Sequence, residues 1–142
     1  EELIFQRDQL HLTSEVTFQK SLPFPKIMEQ IQEADILLLP SLEEGIANVV
    51  LEAMALGTLV ISTHCGGMQE VVNEGKNGFI VPVRNAKAIS EALLKASKLS
   101  LLDYNAMTQK ARVVIEQQHS NEKMIFDFNS FYNSLLNNEH SL

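Results

Sequence analysis

The sequence predicts an α/β fold, a doubly wound parallel sheet with helices on both faces. Short apolar runs of strand length alternate with segments whose apolar residues recur at helical spacing, as in successive βαβ units. The apolar runs are continuous, which is typical of parallel strands that are covered on both faces. A chain of 142 residues fits one domain, so residues 1–142 are expected to form a single domain.

Four strands are expected, and the helices lie between and after them. The expected strands are centred on Val16, Ile36, Val60 and Ile80. The expected helices cover residues 24–34, 48–56 and 85–98, then the chain beyond Leu99 with a break near His119 and Ser120. Gly57 follows the second helix, where a glycine can end it in the left-handed conformation. Residues 137–142 are expected to fray.

Composition and charge exclude several classes of function. The net charge of −7 argues against a nucleic-acid partner. No apolar run approaches the ~18 residues that cross a membrane, and the chain opens with two glutamates rather than a signal peptide, so a cytoplasmic location is expected. The single cysteine, Cys65, cannot form an internal disulfide. His64 adjoins it, but no second Cys or His has ligand spacing, so no metal site is predicted.

Residues 40–82 carry the chemistry. A polar turn ending at Glu44 and Gly45 joins a buried strand to a helix, and ligands of open parallel sheets bind beyond the carboxyl ends of the strands. The helix start offers unpaired backbone N–H groups that suit a phosphate. Glu52 lies eight residues after Glu44, on the order of 10 Å away, so the two carboxylates suit opposite ends of one elongated ligand. Gly66 and Gly67 follow the next strand and should border the same crevice.

Three motifs resemble those of one enzyme family. They are, in order, PSLEEGIANVVLEAMALGTLVIST (40–63), GGMQEVV (66–72) and GKNGFIVP (75–82). They are similar to the nucleotide-sugar-binding, C-terminal half of the retaining GT-B glycosyltransferases that carry an E-x7-E motif, the group 1 glycosyltransferases. The resemblance covers nearly the whole chain, from Val16 to about Leu136, and implies a Rossmann-like, partial GT-B domain.

The resemblance implies a role for each motif residue. Glu44 matches the first Glu of the motif, the catalytic candidate, which contacts the hydroxyls of the donor sugar. Glu52 matches the second, which hydrogen-bonds the ribose. Backbone amides of Gly45 and Ile46 approach the sugar and phosphates in this family. Two further pairs complete the implied site: Asn48 and Val49 present N–H groups to the diphosphate, and Gly66 and Gly67 line the cleft.

The resemblance also implies partners. The donor is a UDP- or GDP-sugar, the anomeric configuration is retained, and no cofactor or metal is needed. An N-terminal acceptor half completes such enzymes, and any peripheral membrane contact is expected through that half. The family's basic Arg and Lys lie on opening strands that this sequence lacks. We therefore expect weak donor binding, no transfer by the chain alone, and an open sheet edge that favours self-association.

Two alternatives stay open at this point. The chain could be a non-catalytic doubly wound module that binds a nucleotide or a protein. A response-regulator-like module would need an acidic pocket at its first strand, and other modules a Gly-rich phosphate loop, and the sequence has neither. A degenerate, inactive homologue is the second alternative. Intact Glu44, Glu52, Gly66 and Gly67 argue against it. The role of Glu70 stays open between structure and function.

Overall fold

The structure is a computed structural model that describes residues 1–138, and it is an α/β fold. In chain order the elements are α1 (Glu2–Gln9), α2 (Phe24–Glu33), β1 (Ile36–Leu39), α3 (Asn48–Leu56), β2 (Leu59–Thr63), α4 (Met68–Val71), β3 (Phe79–Val81), α5 (Ala86–Ala96), α6 (Leu101–Gln118) and α7 (Asn121–Asn138). The sheet order is β1-β2-β3, and both pairings are parallel. The predicted fold class is confirmed. No helix among the described residues is long and apolar enough to cross a membrane.

The central strand, β2, joins two apolar cores. All five of its residues are buried, and successive side chains point to opposite faces. Val60 packs in a core with Val50 and Met54 of α3 and with residues of α2 and α6. Leu59 and Ile61 pack on the other face with β3, α5 and part of α6. Helices therefore cover both faces, as a doubly wound sheet requires.

The termini of several helices follow from their sequence. Gly57 ends α3 with φ of 87°, and the Thr58 N–H behind it donates to the Ala53 carbonyl. The side chain of Asn85 caps α5 by accepting a hydrogen bond from the Ala88 N–H at 2.9 Å. These local signals explain why the bounds of the middle elements agree with the sequence-based expectation.

The strand expected around Val16 is wrong. Residues 16–20 are irregular, and the Val16 N–H donates to the Leu12 carbonyl in a turn rather than to a neighbouring strand. The guanidinium of Arg7 lies 5.5 Å from the centre of the Phe18 ring and reaches the Val16 carbonyl. A β-rich run forms a strand only where a partner is available, and α1, which no motif predicted, lies before it instead.

Strand β1 differs from the expectation in its burial. All four of its residues are only half-buried, because β1 is the edge of the described sheet and pairs only with β2. The continuous apolar run of residues 36–39 had predicted a strand that is covered on both faces. Its outer edge keeps backbone groups that no described strand pairs.

The C-terminal helices break where expected. Helix α6 ends at Gln118 and α7 begins at Asn121. The aromatic residues Phe126, Phe128, Phe131 and Tyr132 of α7 are all more than half exposed. Residues 137–142 were expected to fray, but α7 continues through Asn138. The remainder of that range lies outside the described residues.

Candidate functional site

Two loops meet at the carboxyl edge of the sheet. The first, residues 40–47, connects β1 to α3, and the second, residues 64–67, connects β2 to α4. Because β1 and β2 are parallel and adjacent, both loops leave the sheet at the same edge. The backbone N–H of His64 donates to the Val81 carbonyl at 2.7 Å, which holds the second loop against the end of β3.

Backbone contacts join the two loops into one unit. The Gly67 N–H donates to the Gly45 carbonyl at 3.3 Å. Gly66 lies so close to the first loop that an added Cβ would stand 1.6 Å from the carbonyl oxygen of Glu44. Its φ of 49° is also in the left-handed region that favours glycine. The paired glycines thus allow the loop bearing Glu44 to rest directly on the second loop.

Side chains add to this contact. A Cβ added at Gly67 would lie 2.8 Å from Cγ1 of Ile46 and 3.2 Å from Oε1 of Glu70. The hydroxyl of Thr63, at the end of β2, donates to the Ser41 carbonyl. Sequence reasoning missed Thr63 and Ser41; the only signal was a polar β-branched residue at the end of a buried strand. Glu70 lies at the glycine pair, exposed, in the short helix α4.

The start of α3 has free hydrogen-bond donors. Its N-cap residue is Ala47, which has no side-chain cap, and its carbonyl accepts from the Val50 N–H at 2.9 Å. Within the described part of the chain, the N–H groups of Asn48 and Val49 have no hydrogen-bond acceptor. The first N–H groups of a helix together with its dipole form a favourable place for an anion.

The two carboxylates of the predicted site are unpaired. Glu44 is exposed in the first loop, and Glu52 is half-buried on α3. Neither has an ion pair or a side-chain hydrogen bond with any residue of the 1–138 range. Both can therefore accept hydrogen bonds from the hydroxyls of a ligand. The described residues contain no group of three His, Cys, Asp or Glu side chains that could hold a metal ion.

A shallow pocket adjoins the second loop. Its volume is about 340 Å³, and it is lined by His64 and residues 80–83. His64 is exposed, whereas Cys65 is buried with its Sγ 3.6 Å from the Thr63 hydroxyl. The adjacent pair therefore diverges, one side chain facing the pocket and the other the interior.

The structure brings the predicted residues to one edge in two groups. Gly45, Ile46, Gly66 and Gly67 touch through the loop contacts, with Glu44 above the glycine pair. A second group follows on the first turns of α3, directly after the first loop: Asn48, Val49 and Glu52. The arrangement combines free N–H groups, exposed backbone and unpaired carboxylates, which suits a ligand with a phosphate and several hydroxyls.

The sequence matches one family and several of its members. Residues 1–114 match the model of the family described as glycosyl transferases group 1. A D-inositol 3-phosphate glycosyltransferase of Corynebacterium urealyticum is 37% identical over 86 residues, which cover 61% of this chain and 20% of that protein. A putative colanic acid biosynthesis glycosyltransferase of Salmonella typhimurium is 33% identical over 113 residues, 75% of this chain and 26% of that protein. The chain thus spans about a quarter or less of these relatives.

Solved structures have the same fold. A glycosyltransferase of Rickettsia africae superposes with a TM-score of 0.87 and 23% identity, over 95% of this chain and 36% of that one. The Anabaena protein HepE, in complex with UDP-glucose, gives a TM-score of 0.80 and 22% identity over 91% of this chain and 36% of that one. The parallel sheet and its helices are therefore part of a GT-B fold.

Proposed function

The chain belongs to the group 1 glycosyl transferases, and from this premise we propose that it is the nucleotide-sugar-binding part of a retaining enzyme. The enzyme transfers a sugar from a UDP- or GDP-sugar to an acceptor. The observation that carries the proposal is the packing of Glu44 and Gly45 on Gly66 and Gly67, next to the free N–H groups of α3. A solved structure of the same fold in complex with UDP-glucose supports the class of donor.

Glu44 is the residue that we propose to contact the reacting sugar. It is exposed, unpaired and held in a loop whose backbone rests on the glycine pair. An ionised carboxylate accepts hydrogen bonds from two hydroxyls of a sugar ring at once. The contact orients the donor carbon toward the acceptor, and such positioning is worth the most when the loop itself does not move.

The diphosphate is proposed to lie at the start of α3. The N–H groups of Asn48 and Val49, together with those of Gly45 and Ile46, would point toward its oxygens. A helix N-terminus contributes ~0.3–1 kcal/mol per anion when exposed, which is too little to hold two negative charges firmly. Binding of the donor by this chain alone is therefore proposed to be weak, and transfer to need the remaining length of the enzyme.

Glu52 is proposed to bind the ribose hydroxyls. It stands one to two turns into α3, so the phosphate site at the helix start lies between it and Glu44. This order, from the first loop into α3, corresponds to the order of sugar, diphosphate and ribose in the donor. Its half-buried position also favours a defined rotamer.

Replacing Glu52 by alanine tests this assignment. We expect Glu52→Ala to weaken the affinity of the enzyme for the nucleoside diphosphate by ~1–3 kcal/mol, the range for lost hydrogen bonds to a charged group. The measurement is the inhibition constant of UDP or GDP against the donor. Glu116→Ala, which removes a carboxylate from the surface of α6, is the matched control. It should leave the inhibition constant of UDP or GDP unchanged. Equal inhibition constants for Glu52→Ala and the unmodified enzyme would exclude the ribose contact.

A further inference from the structure

Positive charge is concentrated in one segment of this acidic chain. Residues 76–112 contain seven of the eleven basic residues and two of the eighteen acidic ones, a net charge of +5. The rest of the chain carries −12. A distribution this uneven creates a local potential that the net charge of −7 conceals.

Three of these basic side chains converge on one pocket. Lys76, Lys95 and Lys110 line a shallow cavity of about 280 Å³ at the amino end of β3. Its apolar wall includes Phe79, and the Lys95 ammonium lies 4.9 Å from the centre of that ring. Asp103 is the acidic side chain in the lining of this pocket. Glu74 pairs with Lys95 at 3.5 Å in an exposed ion pair, which screening by water weakens.

Exposed leucines stand beside the pocket. Leu101 and Leu102, in the first turn of α6, are 76% and 79% exposed, the highest values among the exposed large apolar residues of the described chain. Leu102 precedes Ala106 by four residues and Lys110 by eight, so the three share one face of the helix, and Ala106 and Lys110 line the pocket. Side chains this exposed contribute nothing to the core of the domain.

We propose that this surface binds an anionic phospholipid bilayer. The lysine-leucine corner is defined by Lys76, Lys95, Lys110, Leu101 and Leu102. Lysines attract the negative surface of a membrane, and the two leucines enter the boundary between headgroups and acyl chains. The pocket then receives a lipid phosphate among its three ammonium groups. A patch that is both basic and apolar fits a charged interface better than it fits water or a neutral protein.

The corner and the candidate site lie at opposite ends of the sheet. The pocket adjoins the start of β3, whereas the loops that bear Glu44 and Gly66 follow the ends of β1 and β2. Contact with a bilayer at the corner therefore leaves the carboxyl edge open. Membrane contact was expected only through the N-terminal half of such enzymes; we assign it to the chain itself. It does not depend on the proposed donor site.

Vesicle co-sedimentation of the 142-residue chain tests the proposal. The chain should sediment with vesicles of equal parts phosphatidylglycerol and phosphatidylcholine but not with phosphatidylcholine alone, and less so as salt rises from about 0.01 M to about 0.15 M. A triple variant, Lys76→Gln, Lys95→Gln and Lys110→Gln, should lower the partition coefficient ~100-fold, at ~5-fold per lysine.

Two further variants separate the corner from net charge and from folding. The triple variant Lys20→Gln, Lys26→Gln and Lys123→Gln changes the net charge equally outside the corner and should keep most of the binding. Leu101→Ser with Leu102→Ser should lower partitioning ~10-fold while the exposed positions leave circular dichroism unchanged. Equal losses in both lysine triples, equal binding to both vesicle types, no binding at all, or binding of inorganic phosphate without vesicles would overturn the proposal.

Discussion

Replacing Gly66 by alanine should lower the free energy of unfolding by ~2–5 kcal/mol, close to the largest effects of single substitutions. The added Cβ would lie 1.6 Å from the Glu44 carbonyl oxygen and 2.8 Å from its carbonyl carbon. Both atoms are backbone, so the clash cannot be relieved by a rotamer change and the two loops must separate. The φ of 49° adds strain that glycine avoids. Urea denaturation followed by circular dichroism measures the difference.

Gly45→Ala is the matched control. A Cβ added at Gly45 meets no heavy atom within 4 Å, and its φ is not in the left-handed region. We expect its free energy of unfolding to stay within about 1 kcal/mol of the unmodified chain. If Gly66→Ala lowered the free energy of unfolding as little as Gly45→Ala, the two loops would not touch as described, and the geometry of the candidate site would be wrong.

Replacing Glu44 by alanine should lower kcat/KM of the enzyme that contains this chain by ~10²–10³. The proposed carboxylate contacts are charge-assisted hydrogen bonds to sugar hydroxyls, each worth ~1.5–3 kcal/mol, and they act on the part of the donor that reacts. Stability should hardly change, because Glu44 is exposed and has no partner among the described side chains. Steady-state kinetics with a UDP- or GDP-sugar, together with a melting curve, measure both quantities.

Glu43 offers a control one residue away. It is also an exposed loop carboxylate, so Glu43→Ala removes the same charge from the same loop. Its kcat/KM should stay within a few-fold of the unmodified enzyme. A similar loss in both variants would attribute the effect to the charge of the loop in general, and unchanged kinetics for Glu44→Ala would remove its proposed contact with the donor sugar.

Elements with strong local signals were predictable from the sequence. Helix α3 and strand β2 have the expected bounds because Gly57 supplies a left-handed helix end and the apolar run Leu59–Ile61 continues through Ser62 and Thr63 as a buried strand. Val16 shows the limit of such signals. Its β-branched neighbourhood favours a strand, but a strand is stable only beside a partner, and local sequence does not reveal whether one is present.

The candidate site was predictable in its location but not in its contacts. Parallel strands bring their carboxyl ends to one edge, so the loops after β1 and β2 had to be neighbours. That Gly66 lies beneath the Glu44 carbonyl, and that Thr63 donates to Ser41, depends on distances between loops far apart in sequence. The net charge also concealed the basic segment that contains the lysine-leucine corner, because a net charge does not record where along the chain the charged residues lie.

Titration of the isotopically labelled chain with a UDP- or GDP-sugar, followed by amide NMR, tests the donor site most directly. We expect saturable shifts of the amides at Gly45, Ile46, Asn48, Val49, Gly66 and Gly67, with a dissociation constant of ~1 mM or weaker. We expect the amides at the lysine-leucine corner to keep their chemical shifts. Shifts confined to other parts of the chain, or none at these six amides at saturating donor, would contradict the assignment of the site.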